Sequence, residues 1–398
     1  MRQSPKSGSA SSEFSRQAAG LFFAARFILL LSLPVDALAG YGDYWNFFAQ
    51  AGMGIPFVDY WTEFPPLFPF ISRGVYLAVG GQEHVYITSL FLVFTLAQAG
   101  TLYALSEICH VFFREGEARM RTAVYGALGV GLFYGWAYFD ALAVLTMVLG
   151  IFWLGRERGW LGAGSVGLGA LIKWFPLLIL PGFVIHKKPR RTGQLILIIL
   201  VIVFSVWGVI YAVSPQYTSA SLASQYNKGS WESIWALLDG NLGTGNFSEG
   251  IDRRNPETAY LRGRNEPVID PRITLLVMGL MGLYLLIKLE EVDLRGRVGA
   301  GGLTLVIFFL WSPGYSPQWI LFLLPVILMV FPYRTAILAA GTAVMISLLE
   351  WPVLLSRGLF RYLPGIILIR TLIMVIFGVV FYQVMEGKRS LPEKDEAR

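Results

Sequence analysis

Apolar segments of about 15 to 25 residues recur from one end of this chain to the other, and that recurrence sets the class of fold. A helix needs roughly 20 apolar residues to cross a bilayer core about 30 Å thick. Stretches such as Gly193 to Val213 and Leu363 to Met385 meet that length. The hydrophobic fraction is 55% and the charged fraction 15%, where a soluble domain carries roughly 25% charge. Mean hydropathy is +0.58. The expected fold is an all-α polytopic membrane protein, one bundle of about twelve transmembrane helices with one large loop.

The formal net charge is +6, and its placement matters more than its size. Basic residues collect in short loops such as REGEARMR (Arg114 to Arg121), RERG and HKKPRR, as positive-inside topology requires. Nucleic acid is therefore not the expected partner; membrane lipid is. The lone Cys109 excludes an intramolecular disulfide and a cysteine metal cluster. His84, His110 and His186 are too scattered for a spaced metal motif. No cofactor is required by the pattern. Paired carboxylates could recruit a divalent cation, but no spacing demands one.

Residues 1–18 are polar and basic and read as a disordered cytosolic tail. The bundle is expected over 19–385, with a charged cytosolic tail at 386–398. A first span, about Gly20 to Leu38, leads into a first external loop at 39–82. Within it, Pro66 to Gly80 is apolar but short and carries Arg73, which suits an interfacial amphipathic helix. That choice puts Arg114 to Arg121 on the cytosolic side and makes the alternation of later loops consistent. The stretch from Trp160 to His186 has basic ends and Lys173 near its middle. It reads as two half-length helices turning near Pro176. A large external loop is expected at 214–271, and both termini fall in the cytosol.

The segment Gly42 to Pro69, GDYWNFFAQAGMGIPFVDYWTEFPPLFP, is where the chemistry concentrates. It holds Asp43, Asp59 and Glu63 among Tyr and Trp residues of the kind found at membrane boundaries. Asp140, Lys173, Lys228, Glu232, the arginines from Arg253 to Arg272 and Gln318 fall on the same expected side. Charges at membrane depth are costly, so Asp140 and Lys173 are expected to face a cavity or a partner. Carboxylates beside cations suit a phosphate-linked substrate: the cations hold the phosphate and a carboxylate takes a proton from an attacking hydroxyl.

Each residue also has a plainer role. Asp43 suits the N-cap of a helix starting at Tyr44, and Asp140 the cap of its own following segment. Asp59 reads equally as a solvated loop residue. Glu63 could pair with Arg73 at the surface. Lys173 could snorkel to headgroups. Gly162, Gly164, Gly167 and Gly169 suit a close helix-packing face and not a nucleotide loop, since no strand precedes them.

The order of these parts resembles the GT-C glycosyltransferases that use polyprenyl-phosphate sugars, and most of all the polyprenol-phosphate-mannose-dependent α-mannosyltransferases (glycosyltransferase family 87). Four stretches carry the likeness: Gly42 to Pro69 with Phe64-Pro65-Pro66-Leu67, Phe139 to Pro181 with its Lys-x-x-Pro ending, QYNKGSWESIWALL, and SPGYSPQWILFLLP. The resemblance implies a GT-C-type bundle and an inverting transfer, with Asp43 as the base that deprotonates the acceptor. It implies a polyprenyl-phosphate sugar donor, the sugar being mannose, and a lipid-linked glycan or other envelope acceptor. Lys173, Lys228, Arg262 and Arg264 would bind the donor phosphate. Asp59, Glu63 and Asp140 would be supporting acids, and Glu232 would orient Lys228 or a sugar hydroxyl. Gln318 would contact substrate at the late outer turn. The site would sit on the external face of the plasma membrane. Phe64 departs from the cation that precedes Pro-Pro in the lipid A aminoarabinose branch, and Lys228 stands where arginine is common.

Two other classes share this outline. A lipid-linked sugar flippase or other transporter would need a charged path reaching both membrane faces, whereas the polar residues here gather on one. An O-antigen-type polymerase or ligase would lean on external arginines and not on an acidic first loop.

Overall fold

The computed structural model describes residues 5–184, 189–243, 247–289 and 292–387, and over these the chain is helical, with only two isolated β-bridges. The first helix, α1 (Pro5–Ser32), stops before Pro34, whose ring cannot donate to the turn behind it. After it come α2 (Val35–Ala39), α3 (Tyr44–Gly52) and α4 (Leu67–Ala78). Next are α5 (Glu83–Phe112), α6 (Glu115–Gly131), the single turn α7 (Tyr134–Ala137), α8 (Asp140–Gly155) and α9 (Gly159–Ala170). A 3₁₀ segment over Phe175–Gly182 leads towards α10 (Pro189–Val213), α11 (Pro215–Tyr226) and α12 (Ile234–Leu238). The chain closes with α13 (Pro271–Lys288), α14 (Leu294–Trp311), α15 (Ile320–Val330), α16 (Tyr333–Leu348) and α17 (Leu363–Met385).

Seven helical stretches are long and apolar enough to cross a membrane, and Leu67–Ala78, Asp140–Gly155 and Pro317–Val330 are shorter apolar helices. The 30 residues of α5 rise about 45 Å at 1.5 Å per residue. The all-α membrane architecture expected from hydropathy is therefore present. Boundaries differ in places. Residues 5–18, expected as a tail, form the first turns of α1, and Ser15 is buried with its hydroxyl 2.9 Å from that of Ser106. The expected span from Ala123 to Tyr138 is split: α6 ends at Gly131 and α7 is separate, which brings Tyr138 and Phe139 to the head of α8. The break expected near Pro176 is seen, with α9 ending at Ala170 and the 3₁₀ turn beginning at Phe175. Of the C-terminal tail, 388–398 lies outside the described residues.

The core is centred on α15, every residue of which is buried. Around it pack α5, α6, α8, α14 and α16. Close approach is bought with glycine where helices nearly touch. A Cβ on Gly302 of α14 would meet the Phe381 ring of α17 at 2.4 Å. On α9, a Cβ at Gly162, Gly167 or Gly169 would likewise strike Leu154, Ile202 or Thr146, while Gly164 faces open space. Three of the four glycines thus form the packing face expected of them.

The two ends of the bundle differ in charge. Arg121, Arg156, Arg191 and Arg295 gather with Glu107, Glu117 and Glu157 near one end. The residues of the first loop, the 171–176 break, the 226–233 segment and the Ser312–Trp319 turn gather at the other, around a common cavity.

Candidate functional site

The first loop is anchored from both sides of Asp43. The Tyr41 carbonyl accepts from the Tyr138 hydroxyl at 2.9 Å and from Trp351 Nε1 at 3.0 Å. The buried Tyr44 hydroxyl donates to the Trp136 carbonyl. Gly42 lies so close to Ala137 that a Cβ there would come within 2.6 Å of the alanine methyl. Asp43 stands at the N-cap position of α3, yet its side chain caps nothing. Its Oδ1 is 3.5 Å from Asn46 Nδ2, the outer limit of a hydrogen bond, and it forms no ion pair among the described residues. The capping role weighed for Asp43 is therefore not the one its carboxylate plays.

The other two acids of this loop are engaged. Asp59 Oδ2 accepts from the Ile55 amide at 2.6 Å, closing a turn in which Gly54 takes φ +138° and leaves no room for a Cβ beside that carboxylate. Glu63 does not pair with Arg73, which donates to the Ala51 carbonyl at 2.6 Å. Glu63 instead meets Arg253 through both oxygens, with Nη2 to Oε1 at 3.0 Å. Arg253 also lies 4.9 Å over the Trp61 ring, and the Trp61 amide donates to the Arg253 carbonyl at 2.9 Å. This pair ties the first loop to the large loop, 190 residues away in sequence.

Asp140 is the first residue of α8, where the helix dipole favours an acid. Its Oδ1 holds Lys173 Nζ at 2.6 Å, and both side chains are largely buried. The ammonium sits in an aromatic box, 4.9 Å from the Phe175 ring centre and 5.4 Å from those of Phe139 and Trp319. Lys173 is thus neither snorkelling nor alone. Lys173 sits in the break between α9, which stops at Ala170, and the 3₁₀ segment that begins at Phe175.

The 226–233 segment docks on the late turn. Tyr315 N donates to the Trp231 carbonyl at 2.9 Å, Trp231 Nε1 reaches Ser316 Oγ at 3.0 Å, and Ser233 Oγ reaches the Pro313 carbonyl at 2.5 Å. Gly314 is required there, because a Cβ would fall 2.2 Å from the Trp231 ring. The docking presents Lys228 and Glu232 beside Gln318.

Among the described residues, Asp43, Glu63, Asp140, Lys173, Lys228, Glu232 and Gln318 line one cavity of about 750 Å³. Its walls are otherwise aromatic and apolar, including Phe64, Tyr138, Trp174, Trp231, Leu275, Phe308 and Trp351. Asp59, Arg262 and Arg264 are not among the lining residues. Arg262 pairs with Glu266 at an exposed position, and Arg264 is exposed. The phosphate role inferred for these two arginines does not fit their place; Arg253, held by Glu63 at the cavity margin, is the arginine near enough to matter.

The surroundings set the charge states. Burial, with Glu63 and Asp140 adding repulsion, pushes the Asp43 carboxyl up to about 6 despite Asn46 and Lys173. Burial opposes ionisation of Glu63 too, but Arg253 and Lys228 outweigh it and hold that carboxyl below its usual range. Burial lowers the Lys228 ammonium to about 8, with Glu63 resisting the shift and Arg253 and Lys173 reinforcing it.

Two lining residues, Tyr138 and Trp351, and the buried pair Glu350–Arg370 behind Glu232 join the site without a motif that marks them in the sequence. Arg370 was detectable in principle as a lone cation inside an apolar 23-residue helix. No known family model matches the chain, and no curated protein is similar to it in sequence.

Proposed function

We propose that this protein is a membrane glycosyltransferase of the GT-C type that moves a sugar, mannose by the resemblance, from a polyprenyl phosphate to a lipid-linked or envelope acceptor. The observation that carries the reading is the single cavity in which Asp43, free of any ion pair among the described residues, shares space with Lys173 and Lys228. A carboxylate near 6 is proton-free at neutral pH and basic enough to accept a hydroxyl proton. The acceptor oxygen attacks the anomeric carbon, its proton passes to Asp43, and the bond from that carbon to the phosphate oxygen breaks with inversion. Polyprenyl phosphate leaves with the electron pair, and Lys228 and Lys173 offset its charge.

The cavity wall at Leu222, Leu275 and Phe308 is apolar, which suits an isoprenoid tail entering from the bilayer. Positive-inside topology puts the arginine-rich end in the cytosol and the cavity on the external face of the plasma membrane. On this reading the short apolar helices complete about twelve crossings, and α4 lies in the interface. The cavity's lining belongs to one end of the bundle, where a flippase would need a path through it.

The test is transfer by the purified, reconstituted protein from labelled polyprenyl-phosphate mannose or glucose to a membrane lipid extract. The expected result is label in the acceptor, inverted at the anomeric carbon, with release of polyprenyl phosphate. Movement of labelled lipid between leaflets without transfer would contradict the proposal.

A further inference from the structure

Behind the segment that carries Lys228 lies a second group of buried charges. Glu232 is 5% exposed, Arg370 4% and Glu350 0%. The Arg370 guanidinium donates through one nitrogen to the Glu350 carboxylate and through the other to the backbone carbonyl of Glu232. It is also stacked 3.9 Å from the Tyr315 ring centre. Glu232 itself has φ +47°, a left-handed backbone that a side chain as large as glutamate keeps only when its surroundings hold it. Arg370 is the group that holds it.

Two carboxylates therefore face one guanidinium, and the ion pair goes to Glu350. Glu232 is the surplus acid. Its Oε2 is buried with no hydrogen-bond partner among the described residues, although buried polar atoms are ordinarily satisfied. Burial first and the Glu350 charge second push its carboxyl well above the ordinary range, as befits an acid short of donors. Among the described residues no ion pair joins it to Lys228, whose charge is favoured by Glu63. Glu232 nevertheless lines the cavity, as do the aromatic residues Trp231, Tyr138 and Trp351. A carboxyl group short of donors beside aromatic faces is the pairing that a pyranose satisfies, with hydroxyl donors at its edge and C–H bonds on its face.

We propose that Glu232 accepts a hydrogen bond from a hydroxyl of the donor's sugar, with Arg370 and Glu350 as the positioning pair that sets its backbone. The inference rests on the transferase reading and names the subsite that reads the sugar, separate from the Lys173 and Lys228 side that reads the phosphate.

The experiment measures binding of two kinds of probe to the reconstituted protein: farnesyl phosphate, and farnesyl-phosphoryl mannose or glucose. Wild type should bind both. Glu232→Ala, which removes the acceptor, should weaken the sugar-bearing probe about three- to tenfold, the range for a hydrogen bond between neutral groups, and should not weaken farnesyl phosphate. Retained binding of the bare lipid phosphate also shows that the variant is folded. Arg370→Lys, which keeps the charge but loses the fork, should give the same selective loss. Equal weakening of both probes, or none for the sugar-bearing probe, would overturn the assignment of Glu232 and leave the transferase reading standing. Wild type that binds neither probe would overturn both.

Discussion

At the arginine-rich end of the bundle, Arg121 is fully buried and fully engaged. It donates to the Leu328 and Phe331 carbonyls at 2.7 and 2.9 Å, and to Glu117. Arg295 adds a donor to the Val330 carbonyl at 3.1 Å. The two side chains satisfy the last carbonyls of α15, which no helical amide can reach. At the cavity end the charges are paired side chain to side chain, Lys173 with Asp140 and Arg253 with Glu63, around an open volume. There Asp43 and one oxygen of Glu232 have been left over. Buried charge with every donor placed is scaffold. Buried charge that stays incomplete at a cavity wall marks a candidate binding group.

That contrast can be broken by mutation. The largest expected effect on the fold is at the closed end. Arg121→Ala strands Glu117 and two carbonyls, and should cost about 3–5 kcal/mol, read as a fall in thermal midpoint and in yield of folded protein. At the open end, Lys228→Met, which breaks no ion pair among the described residues, should spare the fold relative to that variant but weaken farnesyl phosphate binding about ten- to a hundred-fold. If the two variants behave alike, the distinction between the ends fails.

The pH dependence sharpens the comparison. Asp43 works proton-free and Lys228 works protonated, and their positions at about 6 and about 8 bracket a neutral optimum. Below about 6 the base acquires its proton and kcat/KM should fall roughly tenfold per unit. Above about 8 the ammonium is lost and donor affinity should weaken. A flat profile between pH 5 and 9 would remove both assignments. The smallest effect is expected at Arg262 and Arg264, which are exposed and away from the lining; alanine there should change transfer by no more than about twofold.

Hydropathy alone located most helices, and Pro176 located the break that frees Lys173. Local signals could also gather Asp43, Asp140, Lys173, Lys228 and Gln318 on one side, because each follows or precedes an apolar segment. Pairings were another matter. Lys173 and Asp140 are 33 residues apart, and Glu63 and Arg253 are 190 apart. Nothing local tells Glu63 to choose Arg253 over Arg73, ten residues away in sequence. For the same reason Asp43, Asp59 and Glu63 look equivalent as letters. Only packing shows that Asp59 closes a turn and Glu63 binds a guanidinium, while Asp43 stays available. Arg370 gives only a faint signal in the sequence, a single cation inside α17 whose partner Glu350 lies 20 residues away.

The most direct test of Asp43 as the base is Asp43→Asn, which keeps shape and removes basicity. Transfer from a polyprenyl-phosphate sugar should fall about 10²–10⁴-fold, with the dissociation constant for the donor unchanged. Turnover at the wild-type rate by that variant would contradict the account.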